Sequence, residues 1–206
     1  MHSVLAFDLK GRQAGLPPTE AEAIEVLEAQ WFTQLCSSDA AIDYGRTMDE
    51  GKVLERMRTL YRFWRQHARI EDEIAGVEEE LRVELPGIDL PLLGYVDLVV
   101  HTEVGDQVID FKTSASRPWV DEVLSPLDLQ KLAVTRGWEA AKSRQVASWA
   151  WIHLVKTKEP QVVPVQLPVQ DEDRERDLRR LASVVNPTLR VMQAVLDGRL
   201  APVTTR

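Results

Sequence analysis

The chain has 206 residues, of which 44% are hydrophobic and 28% are charged, and its formal net charge is −8. This composition is typical of a globular protein with one sizeable core. No apolar run approaches the roughly 20 residues that would cross a bilayer, and the first residues lack the basic segment and cleavage site of a secretory signal. We therefore expect a cytoplasmic protein with no membrane association.

The negative charge is concentrated in one segment of the chain. Residues 71–89 hold eight acidic side chains and one basic side chain, whereas residues 112–158 hold eight basic and four acidic ones. A local excess of basic side chains is compatible with phosphate binding on one face of the protein. A mixed solvated surface explains the same pattern equally well, so the charges alone leave both interpretations open.

The chain contains a single cysteine, Cys36. It can form neither an internal disulfide nor a four-cysteine iron–sulfur site. We expect Cys36 to be a small buried hydrophobic residue.

Helical patterns occupy the first third of the chain. Three helices are predicted, over about residues 1–10, 19–36 and 47–69. Gly11 is a natural end for the first. Thr19 and Glu22 form a capping box at the start of the second helix, and Thr47 and Glu50 repeat this pattern at the third.

Strand patterns follow, and they predict five strands over residues 76–85, 92–101, 106–113, 146–155 and 161–168. The short glycine-containing loop after the second strand predicts an antiparallel hairpin with the third, and Pro164 predicts that the last strand lies at a sheet edge. A helix opened by Ser125 and Pro126 should follow the third strand. A charged helix over about residues 170–197 should be bent or broken at Pro187.

This order of elements predicts an α/β fold of the α+β type. Its centre should be a mixed sheet of four or five strands flanked by helices.

Two charged side chains stand out in the third strand, "DQVIDFKT". Side chains at i and i+2 share one face of a strand, so Asp110 and Lys112 should project together while Phe111 turns into the core. Asp97 lies on the neighbouring strand and should come close to Asp110. Two adjacent carboxylates raise each other's pKa unless a cation lies between them, and a magnesium ion needs only one or two carboxylates.

Lys112, beside such an ion, would orient or deprotonate a water, or neutralise charge in a phosphoryl transition state. A D-x-K pattern taken alone more often marks a weak ion pair on a solvated strand face. The wider set of motifs is therefore needed to decide.

The ordered set "GYVDLVV", a short turn, "VIDFKT" and a helix carrying Gln130 resembles the PD-(D/E)XK nuclease superfamily, specifically its RecB-like exonuclease branch. The resemblance covers residues 75–165 well and the flanking helices loosely. It implies a restriction-endonuclease-like core in a single domain over residues 1–206. The expected parts are a helical part over about 1–70, a nuclease core over about 75–168 and a C-terminal helical segment over about 170–206.

The resemblance also implies roles for individual residues. Asp97, Asp110 and the main-chain carbonyl of Phe111 would bind Mg²⁺ or Mn²⁺, and Lys112 would be the catalytic lysine beside the two aspartates. Gln130 matches a helix motif that contacts DNA, and Thr113 is a second DNA-binding candidate. The tyrosine that follows this glutamine by four residues in the family is Val134 here, which puts that DNA contact in doubt.

Two further positions are implied near the start of the chain and on the first strand. His2 looks like the histidine on the first core helix that is an additional metal ligand in the family, and Glu80 is the candidate for an acidic residue on the first strand. Because only Met1 precedes His2, we expect a truncated domain, a fragment of a longer polypeptide or a mis-assigned start. His67, His101 and His153 show no metal-ligand spacing and are expected to be solvated or satisfied structural residues.

The function expected from this resemblance is a metal-dependent DNA nuclease, an exonuclease, acting in DNA repair, recombination or phage or defence DNA processing. Its partner would be DNA. A helicase or another recombination protein that presents the DNA to the nuclease is a second partner that the resemblance leaves open. Two other interpretations stay open at this point. One is an inactive module of the same fold that binds nucleic acid or has a structural role, and the other is an unrelated α/β protein with a chance D-x-K.

Overall fold

The computed structural model describes residues 1–37, 44, 48–68, 70–118, 129–170 and 173–199. The helices within these ranges are α1 (His2–Gln13), α2 (Glu20–Ser37), α3 (Glu50–His67), α4 (Leu129–Lys142) and α5 (Asp173–Leu196). The strands are β1 (Glu73–Val83), β2 (Leu92–Thr102), β3 (Gly105–Ser114), β4 (Val146–Val155) and β5 (Gln161–Pro168). No described helix has both the length and the apolarity needed to cross a membrane.

The five strands form one mixed sheet in the order β1-β2-β3-β4-β5. Only the β3–β4 pair is parallel, because α4 lies between these strands in the chain and provides the crossover that a parallel pair needs. The other neighbours are antiparallel. Pro164 lies on the edge strand β5, as predicted, where a missing N–H costs no ladder bond on the open side. The α+β architecture with a mixed central sheet is therefore confirmed.

Each face of the sheet packs against helices. One face buries apolar side chains against α1, α2 and α3, including Leu5, Leu27, Tyr61, Trp64, Leu98, Ile109 and Phe111. The other face packs against α4 and includes Val99, Val108, Trp138, Trp149 and Trp151. Trp149 and Trp151 pack edge to face with ring centroids 5.7 Å apart. The alternation along β3 thus sends Phe111 towards α3 and leaves Asp110 and Lys112 on the α4 side.

A buried carboxylate joins α1 to α3. Asp8 is fully buried and accepts hydrogen bonds from Tyr61 Oη at 2.5 Å, Arg12 Nε at 2.5 Å and Arg65 Nη1 at 2.6 Å. Burial and then the bond to Asp8 raise the pKa of Tyr61. A buried charge is tolerated when it is paired and hydrogen-bonded in this way. The network therefore fixes α1 and, with it, the residue at its first position, His2.

Gly11 does not end the first helix, contrary to the prediction. The helix continues to Gln13, and the following loop folds back over Gly11. A Cβ atom at this position would lie 2.6 Å from Pro18 Cδ and 2.8 Å from the Leu16 carbonyl oxygen. Glycine is therefore needed here for close approach of the loop and not for a change of backbone direction.

The helix starts agree with the predictions in part. At α2 the capping box is confirmed, since Glu22 N donates to Thr19 Oγ1 at 3.2 Å and Thr19 N donates to Glu22 Oε2 at 2.7 Å. At α3 the cap is instead Asp49, whose side chain accepts from Lys52 N at 2.8 Å, and Thr47 lies outside the described residues. Ser125 and Pro126, predicted to open the helix after β3, also lie outside them.

Two other predictions need correction. The C-terminal element, predicted to be bent or broken at Pro187, is one continuous helix through it, so the break is wrong. The neighbouring Asn186 ties this part of the helix to the β1–β2 loop, donating to the Gly87 carbonyl at 2.8 Å and accepting from Asp89 N at 3.1 Å. Cys36 is exposed rather than buried, since it lies on the last turn of α2, beyond the buried part of that helix.

Candidate active site

The candidate site lies where β2 and β3 diverge. Their ladder runs from Thr102 opposite Gly105 to Leu98 opposite Ile109, and β3 then continues beside β4 to Ser114. At this fork Asp97 Oδ2 accepts a hydrogen bond from Phe111 N at 2.8 Å. The carboxylate thus replaces the acceptor that a continued ladder would have offered. Asp97 is fixed at the fork by the backbone it satisfies.

Two more potential ligands lie beside Asp97. His2 Nδ1 is 3.4 Å from Asp97 Oδ2, and one ligand atom from each of His2, Glu78 and Asp97 lies within 4.8 Å of the other two. The hydrogen bond to Asp97 raises the pKa of His2. Burial and then the charge of Asp97 raise the pKa of Glu78. The three side chains from α1, β1 and β2 therefore form a compact, acidic group, which we call the fork triad.

Glu78 reaches this position through an unusual backbone conformation. It is opposite Asp97 in the β1–β2 register, between the pairs Val77–Leu98 and Glu79–Val96, and its φ is +49°. A left-handed conformation costs a residue with a Cβ roughly 1–2 kcal/mol. Such local strain is concentrated at functional sites in proteins, which supports a role for this residue at the fork.

The fork triad fits a divalent cation. Two carboxylates are oxygen ligands of the kind that Mg²⁺, Ca²⁺ and Mn²⁺ prefer, and an imidazole adds a nitrogen ligand suited to transition metals. Burial, and then the repulsion from Asp97, raise the pKa of Glu78. A cation between them would relieve this repulsion.

A second group lies on the α4 side of β3. Asp110 is 4% exposed, and its Oδ1 accepts hydrogen bonds from Gln130 Nε2 at 2.9 Å and Lys112 Nζ at 3.1 Å. Lys112 Nζ also donates to Gln130 Oε1 at 3.2 Å. Burial raises the pKa of Asp110 despite the opposing effect of Lys112. The three side chains therefore hold each other in a closed triangle.

The second oxygen of Asp110 has a different environment from the first. Asp110 Oδ2 lies 2.8 Å from Lys112 Nζ in an ion pair, but the contact lacks hydrogen-bond geometry, and this buried oxygen has no hydrogen-bond partner within the described ranges. An acceptor of this kind can still bind a cation or a polarised water. Asp110 is thus held by hydrogen bonds through one oxygen, while the other oxygen contacts the Lys112 ammonium.

The structure places most of the sequence-predicted residues in two groups. Lys112, Asp110 and Gln130 form one group, and His2 and Asp97 belong to the other. Thr113 follows Lys112 but lines a cavity on the opposite, α3 side of the sheet. The Phe111 carbonyl as a metal ligand stays a prediction.

The acidic residue on β1 differs from the predicted one. Glu80 is exposed, and its carboxylate accepts a hydrogen bond from the Tyr95 hydroxyl at 2.9 Å. Glu78, two residues earlier on the same face, is the one that meets Asp97 and His2. The three consecutive glutamates could not be distinguished without the register, and only the position opposite Asp97 identifies Glu78.

Two residues near the site are buried. Val134, at the family's tyrosine position, is 7% exposed and packs into the core beneath α4. His153 is 8% exposed, pairs with Lys112 in the β3–β4 register, and has no hydrogen bond to either ring nitrogen in the described part of the chain. Burial and then Lys112 lower its pKa. The expectation that His153 is solvated or satisfied is therefore wrong.

The other two histidines match that expectation. His101 Nδ1 is 2.7 Å from Asp106 Oδ1, and His67 Nδ1 is 2.8 Å from the Phe63 carbonyl oxygen. Both are held by structural hydrogen bonds away from the fork triad.

Comparisons with known proteins bear on the fold and the family of this chain. A candidate exonuclease from Eubacterium rectale has a similar fold, with a TM-score of 0.51 and 11% identity over 92% of this chain and 77% of its own. The structure of SSO0001 aligns over 91% of this chain and 90% of its own at 12% identity, with a TM-score of 0.32 that supports no conclusion. No curated protein sequence matches significantly. The family model described as PD-(D/E)XK nuclease superfamily matches residues 1–205. This chain therefore belongs to the PD-(D/E)XK nuclease superfamily.

Proposed function

We propose that the protein is a metal-dependent deoxyribonuclease that removes nucleotides from DNA ends. Membership of the superfamily supports a phosphodiester hydrolase that acts on nucleic acid. The observation that carries the proposal is the fork between β2 and β3, where the fork triad gathers three potential ligands and the charges of Asp97 and His2 act on the buried carboxylate of Asp110, which is paired with Lys112. Exonuclease rather than endonuclease action is supported by the motif set and by the similar fold of the candidate exonuclease from Eubacterium rectale.

In this proposal Asp97, Asp110 and His2 bind Mg²⁺ or Mn²⁺, with Glu78 as a further acidic ligand and the Phe111 carbonyl contributing. When bound, the cation would act as a Lewis acid on a phosphoryl oxygen and lower the pKa of an attacking water. The protein's own contribution is to hold the ligands in place. Asp97 is held by Phe111 N at 2.8 Å, and Asp110 by Gln130 at 2.9 Å.

Lys112 has the second chemical role. Its side chain is 40% exposed, so the ammonium reaches solvent while Asp110 and Gln130 hold it. A positive charge fixed in this position orients the attacking water or neutralises charge that develops on the phosphoryl oxygens. Gln130 and Thr113 complete the proposal as contacts to DNA, one on each side of the strand.

The biological setting belongs to the proposal as well. The RecB-like motif set supports DNA repair, recombination or phage or defence DNA processing, with a helicase or another recombination protein as a partner that presents the DNA.

The direct test is degradation of linear and covalently closed circular DNA, single- and double-stranded, with Mg²⁺ or Mn²⁺. We expect the wild type to degrade linear molecules, and Lys112→Ala and Asp110→Ala to lose this activity. Glu80→Gln is the matched control, because it changes an exposed acid outside the fork triad. Equal cutting by wild type and both variants would contradict the catalytic assignment. Binding of DNA by the wild type without cutting under either metal would favour an inactive module of the same fold.

A further inference from the structure

Two adjoining cavities lie on the α3 side of the sheet. The first, of 380 Å³, is lined by Met1 and Thr113, the chain neighbours of His2 and Lys112. The second, of 440 Å³, lies between α3 and the β4–β5 hairpin. The two share the lining residues Met48, Arg56, Leu60 and Lys156. Because they share these residues, the two cavities form one groove that begins at the chain neighbours of His2 and Lys112, and we call it the hairpin groove.

Basic side chains line this groove. Arg56 comes from α3, and Lys156 and Lys158 come from the turn of the β4–β5 hairpin; all three are exposed. The hairpin is attached to the end of β3, since Lys156 N donates to the Ser114 carbonyl at 2.9 Å. The spacing between these cations and Lys112 on the same β3 strand is therefore fixed by the sheet.

The acids near the groove do not cancel this charge. Glu55 lines the second cavity, but its carboxylate is 2.9 Å from Arg58 Nη1 and 3.7 Å from Arg62 Nη1. Lys52 likewise has a counter-ion, with Asp49 Oδ2 at 2.8 Å from its Nζ. Glu159 lies in the hairpin turn but lines neither cavity. Among the lining residues that the structure describes, the three cations therefore exceed the uncompensated acids.

The charge of the groove is opposite to that of the whole chain, which is −8. A concave, positive surface in an acidic protein attracts a polyanion locally, because clefts of one sign concentrate the opposite charge. The walls also offer apolar contacts from Val53, Met57 and Leu60. This combination of a cationic track with aliphatic walls suits one nucleic-acid strand, because its phosphates bind the cations and its unpaired bases, unlike those of a duplex, are exposed to apolar contacts with the walls.

We infer that the hairpin groove binds a single DNA strand and leads it to the fork, with Arg56, Lys156 and Lys158 contacting its phosphates. This inference rests on the proposed function, because it names the path of the substrate of that site. Thr113, where the groove meets β3, is the link between the two. The sugar-phosphate backbone is the feature recognised, so the contacts carry no sequence preference.

The test is the salt dependence of binding to a fluorescein-labelled single-stranded oligonucleotide, measured by anisotropy in EDTA so that no cutting occurs. Each phosphate contact on a single strand contributes about 0.7 to the slope of log K against log salt. The variant Lys156→Gln/Lys158→Gln should therefore reduce the slope by about 1.4. The factor by which the variant binds more weakly than the wild type should then be roughly 25 times larger at about 0.1 M salt than at about 1 M salt. Arg56→Gln should reduce the slope by about 0.7 on its own.

The matched control is Arg82→Gln/Arg190→Gln, which removes the same charge from exposed residues of β1 and α5 outside the groove. Equal slopes for the groove and control variants, with a wild type that still cuts DNA, would overturn the groove and leave the proposed function intact. A loss seen only with duplex DNA would overturn the single-strand assignment. A wild type that neither binds nor cuts DNA would overturn both proposals.

Discussion

Asp97 combines a structural and a metal-binding role, and two substitutions separate them. Asn at this position keeps an oxygen that can accept the hydrogen bond from Phe111 N, now 2.8 Å from the carboxylate, but removes the negative charge. Ala removes both. We therefore expect Asp97→Asn to retain the fold and lose the metal site, and Asp97→Ala to lose the metal site and stability together.

The magnitudes follow from the contacts. An unsatisfied buried N–H costs about 1–3 kcal/mol, and in a chain of this size each 1 kcal/mol lowers Tm by about 2–4 °C. Asp97→Ala should therefore lower the metal-free Tm by about 2–12 °C. Asp97→Asn should leave the metal-free Tm nearly unchanged, because the lost charge also removes the repulsion between Asp97 and Glu78. Burial and then this repulsion raise the pKa of Glu78 in the wild type.

Thermal unfolding with and without Mn²⁺ measures both effects. A ligand that binds only the folded state at 100 times its Kd stabilises it by about 2.7 kcal/mol, so the wild-type Tm should rise by about 5–11 °C. Neither variant should show this rise. A full Mn²⁺-dependent rise in Asp97→Asn would refute Asp97 as a ligand, and equal metal-free Tm values for the two variants would refute the role of Asp97 as the acceptor for Phe111 N.

Three other predictions concern the fork triad and the buried network behind it. Glu78→Gln should abolish the Mn²⁺-dependent rise in Tm while Glu80→Gln preserves it, and the same response in both variants would contradict the assignment of Glu78. Hydrogen bonding to Asp97 raises the pKa of His2 above its ordinary 6.5, so this contact stabilises the metal-free protein below that pH and the stabilisation is lost as the pH rises through the raised pKa. His2→Gln should thus lower Tm in EDTA at about pH 5.5 but not at about pH 8.5, and a pH-independent change would count against the ion pair. Asp8→Ala should cost about 1–3 kcal/mol in urea unfolding, because it leaves the buried Tyr61 hydroxyl and the partly exposed Arg12 and Arg65 without their acceptor; a loss near zero would show that Asp8 does not anchor α1.

Local patterns in the sequence were enough to predict most of the elements. The bounds of β4 and β5 match the predicted runs, and the Thr19–Glu22 capping box forms as expected. These features depend on neighbouring residues, which the sequence displays directly. The pairing of Asp110 with Lys112 was accessible for the same reason, since it follows from strand periodicity.

Features that depend on tertiary contacts were not accessible in this way. Gly11 is set by a loop that returns five to seven residues later, through contacts with Leu16 and Pro18. Glu78 differs from its two neighbouring glutamates only by the β1–β2 register and a left-handed backbone. His153 became notable only when the parallel pairing placed it beside Lys112.

The central claim is that metal binding and Lys112 are separate parts of one hydrolytic site. The most direct test is the rate of linear DNA degradation by Lys112→Met at saturating Mn²⁺, measured beside its Mn²⁺-dependent rise in Tm. We expect the rise in Tm to persist, because Lys112 is not a ligand, and the rate to fall by about 100-fold or more, as when one electrostatic donor is removed from an active site. A wild-type rate in Lys112→Met with the metal bound would contradict the account.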